Sequence, residues 1–290
     1  MITRRLTQGR LYLLALLPAA IACLIAAIIS GARTRTSSAS AMPPLRGEEA
    51  VTYLKEQGTY SSLGEAMAAA ERLGIDPANR FLLGYPDRGL QRLMLDHFFV
   101  PYRSRYTNQS SVGFANAVSP EAPYEGRALD ADLRRVIDRL APTHVFVASP
   151  LDAHPDHSTS GEFVMRILGE RNQLDRLYYW IIHGGFDWPR PRGLHRDNDL
   201  VPPERARDLP WLRFELTRAE QDAKLAALQA HRTQMEIMRP FLRAFVRRNE
   251  LFTRVPLAPE APIPILTPDA DGQDAEGHAG SGPGSEARAK

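Results

Sequence analysis

Four side chains that can bind a metal or transfer a proton lie close together in one short segment. The segment Ser149–His157 reads SPLDAHPDH, and Asp152, His154, Asp156 and His157 fall within six residues of it. Imidazole and carboxylate groups are the ligands of zinc in hydrolytic enzymes, and both also act as general acids or bases. One such group would indicate only a polar loop that caps a helix. Four of them together predict a functional site.

The elements around this segment predict where the site lies. The apolar run His144–Ala148 before it is typical of a buried strand, and Thr159 and Glu162 after it have the spacing of a capping box that opens a helix. Open α/β sheets build their ligand sites at the carboxyl ends of strands, and a helix N-terminus favours negative charge. The segment is therefore expected on a loop between a strand and a helix.

Two further clusters follow other predicted strands. Asp87 lies in a Tyr-Pro-Asp-Arg-Gly turn after the apolar run Phe81–Tyr85, where it could accept hydrogen bonds from substrate hydroxyl groups. An ordinary turn is the alternative interpretation of this motif. His183 follows the predicted strand Leu177–Ile182 and could face the same crevice, or be only a satisfied polar residue. If the site is shared, Asp87 and His157 should lie within about 15 Å of each other.

Alternating periodicity predicts the fold class. Apolar residues recur at helical spacing over residues 62–73 and 129–140, between and beside the short apolar runs that predict strands. This alternation predicts an α/β fold, a Rossmann-like parallel sheet with flanking helices, in which residues 144–149 form a central strand. A second capping-box pattern opens a helical stretch over residues 217–248, which Pro240 should kink or divide.

The first thirty residues predict a membrane segment. Leu11–Ser30 has no charged side chain over 20 residues, which is enough to span a hydrocarbon core of about 30 Å as one helix. The sequence therefore predicts a single-pass membrane protein, with arginines on both sides that leave the orientation open. A cleavable signal peptide ending near Ala39–Ala41 is an alternative, and a lipoprotein anchor at Cys23 is a weaker one.

Composition predicts the remaining organisation. We expect a membrane anchor at residues 1–30, a linker at 31–49, a folded domain at 50–255 and a disordered Pro/Gly-rich tail at 256–290. A net charge of +2, from 36 basic and 34 acidic residues, excludes a strongly electrostatic nucleic-acid binder. The single cysteine excludes an intrachain disulfide and a cysteine-based metal site.

Together these motifs resemble the PIG-L/LmbE-type zinc-dependent deacetylases. The resemblance covers about residues 50–255, and the His-Pro-Asp-His motif is its most specific part. It implies an LmbE-like fold, Zn²⁺ as the cofactor, and hydrolysis of N-acetyl groups on N-acetylglucosamine-type conjugates. The matching segments, in chain order, are Glu65–Gly74, Phe81–Leu90, Pro101–Thr107, Asp152–His157, His183–Pro203, Lys224–Gln234 and Phe245–Phe252.

The resemblance also implies roles for individual residues. His157 corresponds to a zinc ligand, and His154 corresponds to the histidine that stabilises the oxyanion. Asp156 corresponds to the aspartate that orients and tunes its neighbour, and Asp87 to the aspartate beside the sugar. Zinc in such a site polarises the amide carbonyl and lowers the pKa of its bound water to about 7.

One motif of the family is missing from this sequence. The family opens with a strand that ends in Ala-His-Pro-Asp-Asp-Glu, which supplies two zinc ligands and the general base. Among the 8 histidines here only His154 is followed by Pro-Asp, and Ser62 stands where the family usually has arginine. The first strand-helix unit is therefore expected to be absent, the domain to be incomplete at its N-terminus, and zinc to be held substoichiometrically.

Whether the chain is an enzyme stays open on these grounds. It is expected either to hydrolyse N-acetylated sugar conjugates or to be a catalytically inactive relative. The inactive relative would be a membrane-tethered carbohydrate-binding or interaction protein. A truncated gene product is the third alternative.

Overall fold

A computed structural model describes residues 11–13 and 59–254, and this part of the chain has a mixed α/β fold. Its helices are α1 (Thr59–Arg72), α2 (Leu90–Leu95), α3 (Gly126–Leu140), α4 (Pro155–Glu170), α5 (Arg218–Ala230) and α6 (Arg232–Arg243). Its strands are β1 (Leu11–Leu13), β2 (His144–Ala148), β3 (Leu177–Trp180), β4 (Trp211–Glu215) and β5 (Asn249–Thr253).

The strands form one mixed sheet in the order β1-β2-β3-β5-β4. Strand β2 lies between β1 and β3 and runs parallel to both, as predicted for residues 144–149. Strand β5 pairs antiparallel with β3 and β4, so the expectation of a wholly parallel sheet is wrong at that edge. An apolar run predicts a strand but does not encode its direction, which depends on where the chain re-enters the sheet.

The start of the chain corrects the membrane prediction. Leu11–Leu13 is a strand, and Leu11 is in register with His144 of β2. Among the residues that the structure describes, no helix is long and apolar enough to cross a membrane. The predicted helix over residues 11–30 is therefore wrong at its start, and the membrane contact and single-pass location derived from it are not supported; residues 14–30 lie outside the described residues. Strands of parallel sheets are commonly continuous apolar runs as well, so hydropathy alone did not separate the two cases.

The same strand bears on the missing strand-helix unit. The strand β1 runs parallel to β2 and lies upstream of the predicted linker, whereas the helix and second strand of that unit would fall on residues outside the described part of the chain. The predicted linker at 31–49, the cleavage site near Ala39–Ala41, the lipidation site at Cys23 and the tail at 256–290 all lie outside the described residues.

Local periodicity predicted several elements well. Helices α1 and α3 cover the two predicted helical segments, with boundaries that differ by a few residues. The predicted strand at Phe81–Tyr85 is reduced to a single bridge between Leu82 and Ala117. Thus the Asp87 turn follows an extended segment that lies outside the main sheet.

The core is divided by the sheet, and β2 contributes to both halves. Val145 and Val147 pack in the cluster formed with α3 and α4, whereas Phe146 and Ala148 pack in the cluster formed with α5 and α6. Successive side chains of a strand point to opposite faces, which explains this alternation. Helices therefore pack on both faces of β2.

Close packing holds α4 against that end of the strand. A Cβ atom at Gly161 would lie only 2.1 Å from the carbonyl oxygen of Ala148. Only a residue without a side chain fits there, because a backbone oxygen cannot rotate away as a side chain can. This close approach brings the second turn of α4 against the last residue of β2.

The helical stretch after β4 agrees with prediction at its start and differs within. Thr217 and Glu220 form the predicted capping box, in which each backbone N–H is bound by the other residue's side chain. The stretch divides at His231, between α5 and α6, where no break was predicted. Pro240 kinks α6 as predicted, since Met238 two residues before it has a non-helical φ of -121°.

A buried ion pair joins α5 to β5. The side chains of Lys224 and Glu250 are 0% and 3% exposed and form a salt bridge. Burial raises the pKa of Glu250, and the Lys224 ammonium opposes that rise. The pair therefore fixes α5 on the sheet while leaving little charge uncompensated.

Candidate metal and active site

Three of the predicted site residues, His154, Asp156 and His157, lie at the N-terminal turn of α4. The helix begins at Pro155, with His154 as its N-cap, so the expected start at the Thr159 and Glu162 capping box is wrong. Proline is suited to the first helical position because its fixed φ is already helical and its missing N–H is not needed there. The Nδ1 atom of His154 accepts a hydrogen bond from the Asp156 N–H at 3.3 Å.

Asp152 joins the ends of two neighbouring strands. Its Oδ1 atom accepts from the His154 N–H at 2.9 Å, and its Oδ2 atom accepts from the N–H groups of Ile182 at 2.7 Å and His183 at 3.0 Å. Burial would raise the pKa of the Asp152 carboxyl, but His157 and these N–H donors hold it below its ordinary value. Asp152 is therefore an anion that fixes the segment after β2 against the segment after β3.

Three histidine rings gather beside this carboxylate. The ring centroids of His154 and His157 are 4.7 Å apart, those of His157 and His183 are 5.1 Å apart, and those of His154 and His183 are 5.5 Å apart. Burial and the neighbouring rings of His157 and His183 lower the pKa of His154 to about 4. At neutral pH this imidazole is therefore an uncharged donor and acceptor.

One subset of these groups is spaced as metal ligands are. Each of Asp152, His157 and His183 offers one ligand atom, and these atoms all lie within 4.8 Å of one another. His157 Nδ1 is 3.2 Å from Asp152 Oδ1, yet it is buried without an aligned hydrogen bond. Two imidazoles and a carboxylate are an established zinc donor set, and an ion would explain the unbonded nitrogen. The residues present therefore fit Zn²⁺.

Asp156 brings the Asp87 turn to the same place. Its two carboxylate oxygens accept from the backbone N–H groups of Arg88 at 2.5 Å and Leu90 at 3.1 Å. Because the Asp156 side chain is buried, desolvation raises its pKa to about 6 even though these donors oppose the rise. Asp87 lies exposed on this turn, where partial desolvation raises its pKa. The structure thus places Asp87 beside the His154–His157 segment.

Sequence reasoning named Asp152 and His183 without giving either a definite role. Their contact spans 31 positions in the chain, so no local spacing could reveal it. The available signal was indirect, since each residue follows a predicted strand and the carboxyl ends of adjacent parallel strands meet at one edge of a sheet.

Comparison with known proteins supports the resemblance. Residues 25–168, which include the His154–His157 motif, match the family model PIG-L, described as GlcNAc-PI de-N-acetylase. This match agrees with the family that the sequence motifs predicted. No curated protein matches the chain significantly.

Several solved structures are also similar to this chain. The A40926 pseudoaglycone deacetylase Dbv21 shares 15% identity with a TM-score of 0.37, over 74% of this chain and 80% of its own. The conserved protein TT1542 from Thermus thermophilus shares 17% identity with a TM-score of 0.37, over 70% and 78%. The zinc-inhibited form of teicoplanin deacetylase Orf2 shares 16% identity with a TM-score of 0.33, over 67% and 70%.

Proposed function

We propose that this chain is a metal-dependent amidohydrolase that removes N-acetyl groups from N-acetylglucosamine-type conjugates. One observation carries the proposal: Asp156 binds the backbone of the Asp87 turn and so holds that turn against His154 and His157. The residues that correspond to the family's oxyanion, metal and sugar positions would thereby act together at the carboxyl end of β2. The match to the PIG-L family model supports the same reaction.

The two histidines of the motif have separate roles in this proposal. His157 would hold the zinc ion, which when bound polarises an amide carbonyl and lowers the pKa of its water. The Nδ1 atom of His154 accepts from the Asp156 N–H, so the neutral ring carries its proton on Nε2. That N–H can donate to the amide oxygen as negative charge develops on it.

Asp87 and Asp156 also have separate roles in this proposal. Asp87 is exposed beside the motif, so its carboxylate can accept hydrogen bonds from sugar hydroxyl groups. Asp156 is 0% exposed and both of its oxygens bind backbone N–H groups, which makes it a positioning residue that does not contact substrate. Its loss would displace the Asp87 turn and weaken substrate binding.

A second function is favoured by one feature of the chain. The family's first motif follows a strand and supplies the general base, yet residues 14–30 after β1 contain no histidine, aspartate or glutamate. A chain without that base would bind a carbohydrate without hydrolysing it. We therefore keep a catalytically inactive carbohydrate-binding relative as the alternative.

Hydrolysis by the full chain separates the two functions. The purified protein is incubated with Zn²⁺ and an alkyl N-acetylglucosaminide, and release of acetate and of the free amine is measured. We expect zinc-dependent release, a fall in kcat of roughly 10²–10³-fold in His154→Ala because an oxyanion donor is lost, and near-complete loss in His157→Ala. His195→Ala, in the loop after β3 but outside the site, is the matched control. Zinc-loaded protein that binds the sugar without releasing acetate would establish the alternative.

A further inference from the structure

We propose that this chain holds its metal ion through Asp152, His157 and His183, a ligand set taken entirely from the ends of β2 and β3. The role of the ion in hydrolysis rests on the proposed function, whereas the ligand set rests on the geometry of these three side chains. The resemblance implies only His157 as a ligand. The other two would replace the ligands of the motif that the sequence lacks.

His157 supplies the first argument. Its side chain is 4% exposed, and its Nδ1 atom lies 3.2 Å from Asp152 Oδ1 without an aligned hydrogen bond. A buried polar atom normally has a partner, so an unbonded one requires an explanation. Two ligand atoms around a tetrahedral zinc ion are roughly 3.3 Å apart when each bond is about 2.0 Å long. The separation of these two atoms is thus that of two ligands of one ion.

The hydrogen bonds of Asp152 leave room for one metal bond. A carboxylate offers about four lone-pair positions. The N–H groups of Ile182 and His183 take two on Oδ2, and the N–H of His154 takes one on Oδ1. The fourth position is therefore on Oδ1, the oxygen that lies beside His157. Ligating carboxylates are commonly fixed by hydrogen bonds of this kind.

His183 completes the set and is held in place from two sides. Its backbone N–H donates to Asp152, and its ring stacks on Phe241 with centroids 5.8 Å apart and an interplanar angle of 17°. Both contacts fix the ring next to His157 before any ion binds, which reduces the entropy that binding must overcome. His154 does not serve as a ligand in this arrangement, because its Nδ1 atom caps α4 and its Nε2 atom carries the proton.

Metal titration of the full chain tests the assignment without relying on turnover. Co²⁺ is added to metal-free protein, and binding is followed by calorimetry and by the visible absorption that tetrahedral cobalt shows. We expect one equivalent in the wild type and at least about 100-fold weaker binding in His183→Ala, since even an outer partner of a metal ligand can contribute 10–100-fold. His154→Ala and His195→Ala should bind cobalt as the wild type does.

Asp152→Asn is the second variant, and the folding of all variants is checked by thermal unfolding. If Asp152→Asn does not fold, His183→Ala alone decides the assignment. Equal cobalt affinity in His183→Ala and wild type, or no stoichiometric binding by wild type, would overturn the ligand set. One equivalent of cobalt bound by a protein that releases no acetate would support the ligand set while contradicting the proposed function.

Discussion

Helices α4 and α5 begin in opposite ways. Helix α5 starts with a capping box, in which Thr217 and Glu220 satisfy each other's backbone N–H groups. Helix α4 starts with His154, whose ring nitrogen accepts one N–H at 3.3 Å, and imidazole is not among the side chains that cap helices well. The residues at the start of α5 stabilise that helix, whereas the residues at the start of α4 place an imidazole at the carboxyl end of β2.

The first turns of the two helices extend this difference. In α4, Asp156 binds the backbone of the Asp87 turn, more than sixty positions away in the chain. In α5, Glu220 binds only Thr217, three positions away. A helix start that departs from local capping rules and directs its side chains elsewhere is the pattern expected of a functional site. Substitutions in and around the two helices test this contrast.

The largest effect is expected where α5 meets the sheet. Lys224→Met should lower the free energy of unfolding by about 3–5 kcal/mol, because it leaves Glu250 as an unpaired buried charge. Urea denaturation measures the loss. The double variant Lys224→Met/Glu250→Leu should recover most of it, and a single variant within about 1 kcal/mol of wild type would contradict the importance of the pair.

A smaller loss of stability is expected where α4 packs against β2. Gly161→Ala should destabilise the protein by about 1–3 kcal/mol, because its Cβ would overlap the carbonyl oxygen of Ala148. Gly169→Ala, in the same helix, is the control, since its Cβ would find ordinary contacts at 3.9 Å and helix propensity favours alanine. Equal thermal stability of the two variants would show that α4 can move away from the strand.

The capping box of α5 is expected to contribute less to the free energy of unfolding than either of these contacts. Thr217→Ala should lower the free energy of unfolding by about 1 kcal/mol, because the side-chain acceptor for the Glu220 N–H is lost. Chemical denaturation at neutral pH measures this. Thr217→Ser retains the hydroxyl group and should stay close to wild type, and an equal loss in both variants would rule out capping as the cause.

The smallest expected change is an increase in the free energy of unfolding. His154→Ser should raise the free energy of unfolding by up to about 0.5 kcal/mol, because serine is a better N-cap than histidine. The same variant should lose the proposed hydrolysis, so stability and activity should change in opposite directions. A variant that is both less stable and inactive would show that His154 is chiefly structural, and the contrast between the two helix starts would fail.

Local sequence predicted those elements whose causes are local. The apolar run of β2 and the capping box of α5 each depend on residues within a few positions of one another. The start of α4 was predicted five residues too late, because Thr159 and Glu162 have capping-box spacing but lie inside the helix. Pro155 was the better signal for the helix start.

Contacts between distant segments could not be predicted in the same way. The strand β1 lies in an apolar run that also satisfies the criteria for a membrane helix, and only its pairing with β2 decides between them. For the site, local spacing predicted His154, Asp156 and His157 as one cluster. Placing His183 beside them required knowing that β2 and β3 are neighbours.

The hydrogen bonds of Asp152 bear on how this family would change over evolutionary time. Because Asp152 ties the chain after β2 to the chain after β3, a lineage that abandoned hydrolysis would still be selected to keep it for folding. His154 contributes little to stability, so such a lineage would be free to replace it. Among relatives of this chain, retention of the aspartate would therefore indicate a preserved fold, and drift at the histidine would mark the branches that no longer catalyse.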